Sequence, residues 1–184
     1  MKPSRRFSVA SLAVIVTASP MAWASYQKVG TASVAFHATT NAEVQIDGTS
    51  SDLSVTDDGT IVTFTAPVAS LKTGIELRDS HLRKYLDAGT YPNITLSIAR
   101  GDIATPADGK SSSGSAGSSV TLHGVKKFEK VSYSLSKSGD TYTVIVKGLV
   151  LKLQDYGIEQ PSFAGVKVNQ QVAVDVSCQF KDTK

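Results

Sequence analysis

One cysteine stands in 184 residues. That excludes an intramolecular disulfide framework, whatever the redox compartment. Cys178 falls on the apolar phase of the last alternating segment, where a thiol behaves as a small hydrophobe. Long apolar runs are missing too. The stretch from Val9 to Ala18 is too short to span a bilayer. Lys2, Arg5 and Arg6 precede it and Ala22-Trp23-Ala24 follows it, which is the order of a secretory signal cleaved before Ser25. Phe7 follows Arg5-Arg6 directly, which favours the general secretory route over twin-arginine export. No cysteine lies near the cleavage site, so no lipoprotein anchor is expected.

A charge excess of either sign is also lacking. The chain carries 19 basic and 16 acidic residues, and the signal takes three of the basic ones and no acids. Residues 25–184 therefore balance at net zero. A nucleic-acid partner requires a basic footprint, and none remains. Catalytic patterns are absent. His37, His81 and His123 are far apart and show no metal-ligand spacing. There is no G-x-S-x-G elbow. The Ser/Gly run from Lys110 to Ser119 lacks the Gly-Lys-Ser/Thr end of a phosphate loop. No cofactor or metal is expected.

What is present is period-two alternation, the mark of half-buried antiparallel strands. Val34 and Phe36 share a phase, as do Val44 and Ile46, and Val62 and Phe64. The pattern continues in Ile94, Leu96 and Ile98, in Val120 and Leu122, and in Val131, Tyr133 and Leu135. It ends with Tyr142, Val144 and Val146 and with Val172, Val174, Val176, Cys178 and Phe180. Asp57-Asp58-Gly59 and Lys137-Ser138-Gly139-Asp140 read as hairpin tips, with Asp47-Gly48 a weaker turn signal. The aspartates at such tips are expected to be solvated. The Lys110–Ser119 run reads as a long, mobile hairpin tip, because it carries little apolar surface. About eight strands in one domain imply a sandwich or an up-and-down barrel. One stretch departs from period two: Leu82, Tyr85 and Leu86 at i, i+3 and i+4 predict a short helix over 80–86, with Asp79 as its N-cap.

Five segments in order carry a resemblance. They are Val34-Ala35-Phe36-His37, then Asp79, His81, Leu82, Leu86 and Asp87. Tyr91, Pro92 and Ile94 follow, then Val120-Thr121-Leu122-His123-Gly124-Val125-Lys126-Lys127, then Asp155-Tyr156-Gly157-Ile158. Behind a signal peptide, this series resembles the YceI-like family of periplasmic proteins. The resemblance implies an all-β fold, an antiparallel up-and-down, lipocalin-like barrel of about eight strands with one short helix. It also implies a hydrophobic channel for a polyisoprenoid or other long-chain fatty amphiphile, no catalysis, and a periplasmic location.

On that expectation Phe36, Phe64, Leu96, Leu122, Tyr133, Val144 and Val174 are the residues expected to line the channel. Arg78, His81 and Arg83 are the expected head-group contacts. The same seven residues would serve a filled core equally well. A filled-core stress or partner-binding protein is therefore the alternative, and a metal-dependent or hydrolytic enzyme using His81 or His123 is the third reading. A monomer, a homodimer and transient membrane contact all remain open.

Overall fold

The computed structural model describes residues 25–183. The expected signal, residues 1–24, lies outside them. Alternating side chains turn most of the described chain into one antiparallel sheet. Its strands are β1 (Ser25–Thr40), β2 (Gln45–Ser50), β3 (Ser54–Asp57), β4 (Ile61–Pro67) and β5 (Asn93–Ala99). They continue as β6 (Ser111–Leu122), β7 (Val125–Ser138), β8 (Thr141–Lys152), β9 (Ser162–Phe163) and β10 (Val166–Thr183). One helix, α1 (Glu76–Tyr85), interrupts the series between β4 and β5.

The spatial order is β2-β1-β10-β8-β7-β6-β5-β4-β3, with β9 paired to β10. This is an up-and-down meander curled on itself. The registers make β2 and β3 run the same way, as two halves of one descending stretch. The upper half bonds to β1 and the lower half to β4. The chain thus crosses the seam of the sheet instead of lacing it with a ladder. Above the crossing, an isolated bridge between Thr49 and Lys72 ties the edge, at 2.8 and 2.9 Å. The predicted all-β, lipocalin-like class holds, with ten strands and a seam where full closure was expected.

The 110–119 run is not a loop. β6 pairs with β7 from Ser111–Ser136 to Leu122–Val125. Its small residues accommodate large neighbours: the Tyr133 ring packs over Gly114 and the Phe128 ring over Gly117. Low apolarity in β6 is matched by bulk in β7, so composition alone misleads here. Asp47-Gly48 is likewise not a turn but the middle of β2. The turn comes earlier, where Thr40 Oγ1 accepts the N–H groups of Ala42 and Val44 at 3.3 and 3.1 Å. Asp57 is also not solvated. It is buried, accepts the Gly59 N–H at 2.8 Å and pairs with Arg100 at 2.6 Å. Asp58 accepts the N–H groups of Thr60 and Ile61 and shapes the same tip.

Inside, the lower half of the sheet is filled. Tyr142 and Phe180 stack at 5.4 Å. The Tyr133 hydroxyl donates to the Asp102 carbonyl at 3.3 Å and accepts the Ala104 N–H at 2.7 Å. Cys178 is fully buried, and burial pushes its thiol pKa up to about 11. It is a packing residue, as its phase implies. The upper half is held differently, since Gly48 leaves room for the Phe36 ring of the neighbouring strand. A side chain at 48 would overlap that ring. Gly48→Ala should therefore cost about 1–3 kcal/mol of unfolding free energy in a urea titration. An unchanged midpoint would show that Phe36 is free to move aside.

Candidate functional site

Above the filled half the inward side chains are aliphatic and leave space. The result is a cavity of about 650 Å³, within the range of natural small-molecule sites. Val34 and Phe36 come from β1, Phe64 and Ala66 from β4, and Ile94 and Leu96 from β5. Val120 and Leu122 come from β6, Leu149 and Leu151 from β8, and Val172, Val174 and Val176 from β10. Leu82 and Leu86 of α1 and Leu153 and Ile158 after β8 complete the upper wall.

Of the seven expected channel residues, Phe36, Phe64, Leu96, Leu122 and Val174 border this cavity. Tyr133 and Val144 do not. They share the inward phase but lie lower, in the filled half. Period two fixes a residue's face and says nothing about its height. Arg78 and His81 stand at the mouth, whereas Arg83 is not among the lining residues. The helical stripe puts Leu82 and Leu86 against the core, as its spacing predicts. The contribution of Leu153, Ile158, Phe163 and Val166 was not legible, because that segment has no clear period.

The helix begins earlier than predicted, and Asp79 is not its N-cap. Ile75 occupies that position without a side-chain cap. Asp79 lies inside the first turns and reaches back beyond the helix start. Its carboxylate accepts both the N–H and the hydroxyl of Thr73 at 2.7 Å. Those two bonds, led by the backbone one, hold its pKa below the usual carboxylate value, with help from the Lys72 and Arg83 charges. Arg83 thus acts on Asp79 from outside the cavity. Across the mouth, the Tyr85 hydroxyl accepts the Ser162 N–H at 3.2 Å and donates to the Ser162 carbonyl at 3.4 Å. The His81 ring lies 5.7 Å from the Phe163 ring. The helix and the β9–β10 hairpin therefore bracket one opening.

The histidines do not converge. His37 is on the outer surface, 2.8 Å from Asp47. His123 sits with Gly124 in a two-residue turn, at φ values of 51° and 74°, the left-handed geometry such hairpins need. Its ring meets Tyr91 edge-on at 5.0 Å, and its Nδ1 is 3.2 Å from the Tyr156 carbonyl. Tyr156 is fully buried and donates to Glu129 Oε1 at 3.1 Å. Burial, and then the Glu129 charge, push its hydroxyl pKa far above the ordinary value. Among the described residues, no group of three or more His, Cys, Asp or Glu could hold a metal ion.

A family model, the YceI-like domain, matches residues 22–180. The chain belongs to the YceI-like family. Solved structures share its fold. A polyisoprenoid-binding domain from Saccharophagus degradans, implicated in plant cell wall breakdown, superposes with a TM-score of 0.73 at 19% identity. That match covers 87% of this chain and 99% of the other. BcnA from Burkholderia cenocepacia gives 0.62 at 19% identity, covering 80% and 95%. The YceI protein of Campylobacter jejuni gives 0.56 at 17%, covering 76% and 86%. No curated protein matches significantly. In this YceI-like domain, three of the segments behind the resemblance meet in one place. Tyr91 packs on His123-Gly124, and His123 reaches Tyr156, beside the left-handed Gly157. They clasp the loops at the mouth end, while Ile94, Leu122 and Ile158 of the same segments face the cavity.

The Asp79 anchor gives a pH dependence with a definite sign. Its folded-state pKa lies below the unfolded value, so the bond stabilises the fold above about pH 4 and is lost in acid. Asp79→Asn should lower stability at neutral pH, and the deficit should shrink as the pH falls below about 4. Asp58 and Asp140, also held low, keep part of the acid slope. Urea midpoints across pH measure this. A deficit that stays constant with pH would remove Asp79 from the account.

Proposed function

We propose that this YceI-like domain is an exported, periplasmic carrier that holds a long-chain isoprenoid or fatty amphiphile and performs no chemistry on it. One observation carries the reading: a 650 Å³ cavity whose wall is almost wholly aliphatic and aromatic. Burial of a hydrocarbon tail there contributes about 0.8 kcal/mol per methylene. The costs of association and of ordering the chain offset part of this gain. The polyisoprenoid-binding name of the Saccharophagus degradans neighbour supports the same ligand class.

The polar groups around the cavity support binding over catalysis. Thr73 is engaged with Asp79 and with the Ile75 carbonyl. The Tyr85 hydroxyl is engaged with Ser162. A hydroxyl already held in this way is poorly placed as a nucleophile for His81. Arg78 and His81 are the head-group contacts in this reading, since both stand where the tail would emerge. Val44, Leu77 and Phe163 are exposed at the mouth and also line the cavity. A chain passing between a bilayer and the cavity would stay on apolar surface throughout, which favours transient membrane contact during loading. Transport, storage or protection against stress would follow from such a carrier.

Replacing an apolar wall residue by an acid should expel the tail. Phe36→Asp and Val174→Asp are expected to lower retention of a fluorescent isoprenoid at least tenfold while far-ultraviolet circular dichroism still reports the sheet. Folded variants that retain the probe at the wild-type level would contradict the carrier reading.

A further inference from the structure

The cavity is a blind cup, and its floor can be located from the strand registers. On one wall the paired residues Val34 and Val176 border the space. The next inward pair below them, Ala32 and Cys178, is buried and does not. On the opposite wall Phe64, Leu96 and Val120 lie in register and border the space. The row beneath, Val62, Ile98 and Ser118, is 3%, 4% and 2% exposed and closed off. Each wall thus stops within one inward row of its last bordering residue. Below the cavity Val131 and Cys178 are packed at 1% and 0% exposure, and the Tyr142–Phe180 stack plugs the end.

We infer that this floor measures the ligand's tail, an inference that rests on the carrier reading above. From Val34 to Thr40, β1 borders the cavity over six residue steps. At about 3.3 Å per step that is roughly 20 Å along the strand, or about 15 Å along the axis of a barrel tilted near 40°. An extended chain advances about 1.25 Å per carbon, the projection of a C–C bond of roughly 1.5 Å. The cup therefore takes about 12 to 16 chain carbons, or some three to four isoprene units. Carbons beyond that number remain at the rim beside Leu77 and Phe163. Phe64 fixes the depth, as the largest side chain in the last bordering row.

Calorimetry on delipidated protein with straight-chain saturated fatty acids, from about 8 to about 22 carbons, reads this directly. Affinity should rise roughly fourfold per methylene and then level off at about 12 to 16 carbons. Phe64→Ala should move the break to longer chains. Ala66→Leu, which narrows the wall above the floor, should move it to shorter ones. An affinity that climbs without a break to the longest acid would overturn the floor and leave the carrier standing. A break that neither folded variant moves would overturn the role given to Phe64 and its row. No binding at any length, and none of an added isoprenoid, would overturn the carrier reading together with the inference built on it.

Discussion

An antiparallel barrel about eight strands around sits at a threshold of size. Side chains can just fill its interior, or can fail to and leave room for one small ligand. Everything distinctive in this domain follows from which side of that threshold each level falls on. Low in the sheet, Tyr142 and Phe180 stack and Tyr133 is buried among the core side chains. Higher up, the wall is rich in valine and leucine, with Phe36 and Phe64 its aromatic residues on β1 and β4 and with Tyr85 and Phe163 at the mouth. Those side chains cover the backbone without meeting across the axis. The void forgoes dispersion contacts that a bound hydrocarbon would restore.

A void of this kind needs rigid walls, and the polar contacts supply them at the edges. Asp79 ties α1 to the bridge that spans the seam through Thr73 and its neighbour Lys72. Tyr85 joins α1 to the β9–β10 hairpin on the far side of the mouth. Tyr91, His123 and Tyr156 clasp three loops at the same end. The polar and aromatic residues by which the family is recognised, Asp79, Tyr91, His123 and Tyr156, thus hold the opening in shape, while the apolar ones, such as Phe36, Leu82 and Leu122, line the cavity.

The alternation of Val172 to Phe180 and of Val131 to Leu135 made the strands legible, and the i, i+3, i+4 stripe made the helix legible. Two kinds of feature were not. Pairwise complementarity was hidden because it lies between strands: Gly114 under Tyr133 and Gly117 under Phe128 turn a run that reads as a mobile hairpin tip into a twelve-residue strand. Gly48, read as a turn, is a recess for Phe36 for the same reason. Height was hidden because period two carries no coordinate along the barrel axis. Tyr133 and Val144 therefore share a phase with Phe36 and Val174 although they do not border the cavity. In the sequence, Asp57 and Asp79 look like local turn and cap residues. Each makes its decisive contact elsewhere, with Arg100 and with Thr73.

The central claim is that the upper cavity holds one hydrocarbon chain in the cell. Mass spectrometry of the organic extract from natively purified protein tests it most directly. The account predicts one class of long-chain amphiphile at close to one molecule per chain. A clean extract from folded protein, with no uptake of added isoprenoid or fatty acid, would contradict it and favour a protein that acts through its outer surface.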